Sequence, residues 1–209
     1  NCIDGYLVSN RSDNNDYVGY LYNGSQGMYA VACTGYYNES HAWRLASDDP
    51  TTLPNFHNFF VSCIGDTSGS YNWAVLDSVN SFWSVCWGST QKDIAVNTTA
   101  TGFLIATQWS HGLSFTACVG LFNNAHGFQL YDDGAGGGNA PYDIIMTDCV
   151  FGSDGYSGPN GNGRSGAGFG LTLNGVVDHV RVNGGRFRHN ASGPVGNYST
   201  GTDIIISGN

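Results

Sequence analysis

The chain has 209 residues and a net charge of −9 at pH 7, and only 11% of its side chains are charged. Phosphate recognition needs clustered cations, so this balance, with Lys92 the single lysine, argues against a nucleic-acid partner. No apolar stretch is long enough to insert in a membrane as a helix. No basic-then-apolar leader opens the chain, and 13% aromatic residues argue against disorder.

Read from the N-terminus, one phrase recurs: a short apolar run, a polar step, a cysteine and a return to apolar residues. It opens as Asn1-Cys2-Ile3 and returns as Tyr29-Ala-Val-Ala-Cys33, Asn58-Phe-Phe-Val-Ser-Cys-Ile64 and Ser81-Phe-Trp-Ser-Val-Cys-Trp87. Gly112-Leu-Ser-Phe-Thr-Ala-Cys-Val119 and Tyr142-Asp-Ile-Ile-Met-Thr-Asp-Cys-Val-Phe151 repeat it. Asp178-His-Val-Arg-Val-Asn-Gly-Gly-Arg-Phe187 puts Gly184 or Gly185 in the cysteine slot, and Asp203-Ile-Ile-Ile-Ser-Gly-Asn209 stops as that slot comes round again. All six cysteines thus fall in one phase, 23 to 32 residues apart, which is the signature of a repeat architecture.

A second phrase interleaves with the first: Gly102-Phe-Leu-Ile-Ala-Thr-Gln108, Gly127-Phe-Gln-Leu-Tyr-Asp-Asp133 and Gly168-Phe-Gly-Leu-Thr-Leu-Asn174. Weaker copies lie at Val18-Gly-Tyr-Leu-Tyr22, Ala42-Trp-Arg-Leu-Ala46 and Trp73-Ala-Val-Leu-Asp77. Their shared apolar position is Leu21, Leu45, Leu76, Ile105, Leu130 and Leu171. Two strand types alternating once per turn, with no helical pattern between them, describe a coil of stacked strands. Matching positions then lie ~4.8 Å apart, and each phase becomes a column of like residues.

The expected fold is all-β, a parallel β-helix of about seven turns. It forms one domain over 1–209, less regular over 1–57 and clear over 58–209, with long loops at 134–141, 153–167 and 191–201. Cysteines in an inner column serve as small apolar side chains that point in parallel, so free buried thiols are expected in place of disulfides. Neither end shows a cap, so the expectation is a segment of a longer chain or a turn that stacks on a neighbour.

These phrases, of a hydrophobic pair, a polar residue, cysteine and an apolar residue, resemble the right-handed parallel β-helix of the pectin-lyase-like superfamily. Within it, the Asn/Gly/Ser-rich texture is similar to bacteriophage tailspikes and related polysaccharide depolymerases. The resemblance covers most of the chain, best over 58–209. It implies an extracellular or virion-surface protein, a polysaccharide partner and a homotrimer, and it leaves activity open because the fold hosts lyases, hydrolases, adhesins and fibres. A non-catalytic fibre glycoprotein, assembled as a head-to-tail homopolymer, is the alternative.

Glycoside hydrolysis needs two carboxylates across the scissile bond, and Asp132 with Asp133 is the local candidate. In the expected register Asp132 neighbours Thr107 and Leu173, and Asp133 neighbours Gln108 and Asn174. A partner carboxylate would come from Asp77, Asp148 or Asp154. Arg181, Arg186 and Arg188, with His179 and His189, read as a solvated face. Sugar binding asks for aromatic platforms and polar side chains, offered by Trp109, Tyr131, Tyr156, Arg164 and Tyr198. Trp43, Trp73, Trp83 and Trp87 fall within strands and read as packing residues. Glycosylation sequons stand at Asn10, Asn23, Asn38, Asn97, Asn190 and Asn197. No metal-ligand spacing occurs and no cofactor is expected.

Overall fold

The computed structural model describes residues 2–89, 101–107, 109–123, 125–132, 140–152, 168–188, 190 and 192–207. Among them every regular element is a strand. The strands stack in parallel register into three sheets of ten, seven and seven strands. The chain visits the sheets in rotation, so strands adjacent in a sheet are a full turn apart in sequence. The architecture is a parallel β-solenoid.

Sheet 1 contains Tyr6–Val8, Tyr29–Val31, Phe59–Val61, Phe82–Ser84, His111–Thr116, Tyr142–Thr147, Asp178–Asn183 and Ile204–Ser207 in that spatial order. Sheet 2 holds the three-residue strands that follow each of the first seven of these, such as Ile64–Asp66 and Val119–Leu121. Sheet 3 holds the second phrase, from Val18–Asn23 through Thr101–Ala106 to Gly193–Ser199. The expected two strand types are therefore three. A single residue in the left-handed region breaks the cysteine phrase in the middle: Ser9, Ala32, Ser62, Val85, Ala117, Asp148 and Gly184 all have φ between 50° and 68°. That residue turns the chain, the cysteine follows it, and the apolar return starts sheet 2.

Five cysteines, Cys33, Cys63, Cys86, Cys118 and Cys149, form the expected buried column of free thiols. Each thiol from Cys63 onward donates to the carbonyl of an inner residue one turn earlier, for example Cys86 to Phe60 at 3.4 Å and Cys149 to Phe115 at 3.5 Å. The seventh position is Gly185, with Gly184 at the bend. Cys2 does not belong to this column. The pairing of Val8 with Val31 and of Arg11 with Thr34 puts Asn10 in the slot, and Cys2 is exposed.

The leucine column also needs correction. Register aligns Tyr22, Leu45, Val75, Ile105, Leu130 and Leu173. Leu21 points outward and is 58% exposed, Leu76 lies one residue past Val75, and Leu171 stacks on Phe128. Apolar residues on both sides of these positions made neighbouring frames look alike.

Two aromatic ladders fill the interior. On sheet 3, Tyr20, Trp43, Trp73, Phe103 and Phe128 stack with centroids 4.0 to 5.7 Å apart. On sheet 1, Phe60, Trp83 and Phe115 stack at 5.1 and 4.7 Å. The ladders meet edge to face, as at Phe115 and Phe128 with an 89° interplanar angle, which aromatic quadrupoles favour. Opposite them sheets 2 and 3 close into a wedge. A Cβ on Gly88 would lie 2.8 Å from the Gly102 carbonyl oxygen, and one on Gly120 2.7 Å from that of Gly127, so only glycine fits.

Candidate functional site

The site follows from a second column of left-handed residues, this time inside sheet 1. Asp4, Gly27, His57, Asn80, Gly112, Asp143, His179 and Asp203 have φ between 48° and 64°. These are residue types that tolerate this region at low cost. Each precedes an inward-facing residue, such as Leu113, Ile144 and Val180, all buried. Repeated strand after strand, the bend creases the outer face of the sheet into a groove parallel to the solenoid axis.

The groove encloses about 450 Å³. Gly112, Asp143, His179 and Asp203 line one side, and the outward residues Ser114, Ile145 and Arg181 line the other. The two rows are tied by register, since Ile144 pairs with Val180 and Val180 with Ile204. Asp143, His179 and Asp203 thus sit on consecutive strands, with the carboxylate-bearing positions two strand spacings, about 9.6 Å, apart. Phe82 closes the end nearer the N-terminus.

From Phe82 toward the N-terminus, the same outer column is aromatic. Tyr6, Tyr29, Phe59 and Phe82 are in register and stack at 5.1, 4.6 and 5.1 Å with planes within 15° of parallel. Ser114 pairs with Phe82 and ends this ladder, and Ile145 comes next.

The charged end is loosely paired. Arg181 Nη2 lies 3.9 Å from Asp203 Oδ2, with both side chains substantially exposed, so the guanidinium keeps donors for another acceptor. Asp178 is held differently. It accepts from the His179 and Thr202 backbone N–H groups at 3.0 and 2.8 Å and from the Thr202 hydroxyl at 2.9 Å. His179 Nδ1 lies 3.6 Å from its other oxygen. At the rim His111 stacks on Tyr142, 4.6 Å between centroids. Burial lowers the His111 pKa, and the nearby Asp143 carboxylate opposes that shift. Among the described residues no group of three His, Cys, Asp or Glu side chains is placed to hold a metal ion.

His179 and Arg181, read in sequence as part of a solvated face, line this groove, whereas the residues expected to carry catalysis or sugar binding lie elsewhere. Tyr131 and Tyr198 share an outer column on sheet 3, with Asn174 between them, and are 39% and 62% exposed. Trp109 is half-buried at the corner leading from sheet 3 to sheet 1. Asp132 follows Tyr131 and donates its backbone N–H to Asn174, so it sits against Gly175, two residues beyond the expected Leu173. Asp77 is buried and accepts from the Ser47 N–H at 3.0 Å and the Thr107 hydroxyl at 3.1 Å, which makes it a structural clamp. Asp148 occupies a left-handed bend. Trp43, Trp73 and Trp83 are core, while Trp87 is outward and 36% exposed. Asp133, Asp154, Tyr156, Arg164, His189 and Asn97 lie outside the described residues.

The sequons divide by burial. Asn10 and Asn197 are exposed, and Asn23 is engaged with Asp48 through both side-chain atoms. Asn38 is fully buried and its Oδ1 accepts from Asn15 at 2.8 Å, so the folded chain leaves no room for a glycan there. Asn190 is half-buried and donates to the Phe151 carbonyl at 3.1 Å. These asparagines follow the corner after sheet 2 and serve as rungs inside the coil.

Comparison of the chain with protein-family models, with curated proteins and with solved structures finds no match. The groove was missed in sequence because Asp143 and Asp203 look like isolated polar residues, while His179 and Arg181 read as a solvated face. The signal lay in the position of Asp143, His179 and Asp203, one residue before each inward apolar residue, where Asp, Asn, His and Gly alone recur.

Proposed function

We propose that this protein is a right-handed, tailspike-like β-helix of about seven turns on a virion or other extracellular surface, which binds a linear cell-surface polysaccharide along the sheet 1 groove. The observation that carries the reading is the groove itself, a crease that runs along the axis with one aromatic end and a row of hydrogen-bonding groups. A linear glycan offers a hydroxyl-rich edge and an apolar C–H face at each residue, and a groove lined by Asp143, His179, Arg181, Phe82 and Ile145 answers both. The groove holds two carboxylates against one guanidinium on a chain of net charge −9, which favours a neutral glycan over a polyanion.

The test is affinity electrophoresis of the unaltered chain through gels containing neutral or uronate-bearing polysaccharides. Retardation by a neutral polymer, relieved in Arg181→Ala and Asp143→Asn, supports the reading, and mobility unchanged in every gel overturns it.

A second reading adds cleavage. The Asp143 and Asp203 backbone positions are about 9.6 Å apart by strand spacing, which lets their carboxyl groups approach the ~6.5–9.5 Å separation used by inverting glycosidases. One carboxyl would protonate the glycosidic oxygen, and the other would take the proton of the attacking water. Release of reducing ends from a bound polymer, abolished by either Asp→Asn change, is the expected result of that reading. Binding without release leaves a recognition protein.

A further inference from the structure

The aromatic ladder on the outer face of sheet 1 shows where a ring belongs. Inside the ladder each ring is covered on both faces by its neighbours, as Phe59 is by Tyr29 and Phe82. Phe82 is different. Its face toward Phe59 is covered, but its other face looks across Ser114, the next residue of the column, which offers only a hydroxymethyl group. Phe82 is accordingly 42% exposed and forms part of the groove lining. One strand further, Ile145 presents an apolar side chain that is 45% exposed.

We infer that the gap over Ser114 is the seat of one pyranose ring of the glycan, stacked on the bare face of Phe82 and backed by Ile145. This deepens the glycan-binding reading and rests on it. The dimension of the gap carries the inference. Phe82 and Ile145 are two strand spacings apart, about 9.6 Å. The ladder places its rings 4.6 to 5.1 Å from one another, so one more ring fits over Ser114 at the same step from Phe82. A pyranose has an apolar C–H face that packs on an aromatic ring, with hydroxyls around its equator. In this seat the Ser114 hydroxyl lies beneath the sugar, and the Asp143 carboxylate at the groove side accepts from an equatorial hydroxyl. Planar aromatic partners fit the gap by size but offer the Asp143 carboxylate no hydroxyl to accept from. The chain of the glycan then runs toward Arg181, His179 and Asp203, which bind its next residues by hydrogen bonds.

The experiment fills the seat from within. In Ser114→Phe the new ring extends the ladder by one step, while Ser114→Ala leaves the gap open. Both are compared with the unaltered chain and with Phe82→Ala, using immobilised neutral hexasaccharides of β-linked glucose, xylose, mannose and N-acetylglucosamine, with thermal melts to check folding. The expected result is that Ser114→Phe melts no lower than the unaltered chain and binds at least about tenfold more weakly, the size of one lost stacking contact. Phe82→Ala shows the same loss, and Ser114→Ala stays within about threefold, less than one hydrogen bond's worth. If Ser114→Phe binds as the unaltered chain does, the glycan reading stands and the seat is overturned. A loss of similar size in Ser114→Ala also overturns the seat, since the gap would then matter less than the hydroxyl. If the unaltered chain binds no member of the panel and no polysaccharide gel retards it, the glycan reading fails and the seat falls with it.

Discussion

Trp73 and Trp83 meet at 6.5 Å with an interplanar angle of 86°, the point where the ladders of sheets 3 and 1 touch. Both are fully enclosed, yet their indole N–H groups fare differently. Trp73 Nε1 donates to the Trp87 carbonyl at 3.0 Å, whereas Trp83 Nε1 is buried without a partner among the described residues. Replacing either by phenylalanine removes a similar volume, so the difference between the two variants isolates the hydrogen bond. Trp73→Phe is expected to destabilise the fold by about 1 kcal/mol more than Trp83→Phe, read as denaturation midpoints. Equal losses would show that the Trp73 bond contributes nothing net.

The thiol column gives a sharper count. Cys2 is exposed and the other five cysteines are buried. A thiol-specific reagent should therefore modify one thiol per chain in the native state and all six after unfolding in denaturant. Rapid modification of more than one native thiol would mean that the coil opens along this column.

Much of this interior was legible. Cysteine, tryptophan and phenylalanine recur at intervals that only stacked strands explain, and Trp43, Trp73 and Trp83 were readable as packing residues. Register within a strand was less legible. Tyr20-Leu21-Tyr22 and Val75-Leu76 carry apolar residues on consecutive positions, so alternation could not tell inward Tyr22 and Val75 from their outward neighbours. The groove was not legible at all. It depends on backbone bends at Asp143, His179 and Asp203, and a bend built from a single left-handed residue leaves no hydrophobic period. Ser114 acquires meaning only once register sets it between Phe82 and Ile145.

Val85 tests the bends directly. It has φ of 55° in a column otherwise made of serine, alanine, aspartate and glycine. A β-branched side chain is poorly accommodated there, because Cβ crowds the following carbonyl. Its side chain is 57% exposed, so little packing opposes a change. Val85→Asn should raise stability by roughly 1 kcal/mol, visible as a higher denaturation midpoint at unchanged slope. A lower midpoint would show that Val85 makes a contact worth more than the strain.

Acid should weaken the fold before the carboxylates titrate. Burial lowers the pKa of His41 from 6.5 to about 4, with Arg44 adding to the effect. Burial also takes His126 to about 4. His126 Nδ1 accepts the Phe169 backbone N–H at 3.1 Å, a bond that needs the neutral ring. The folded chain therefore resists protonation, while both histidines in the unfolded chain titrate near 6.5. Between these values the unfolded state binds more protons, so stability rises with pH. The contribution is fully present above about pH 6.5 and is lost progressively as pH falls toward about 4. Denaturation midpoints measured across that window should decline, and the decline should flatten in a His41→Gln, His126→Gln double variant. An unchanged slope in the double variant would place the acid sensitivity on other groups.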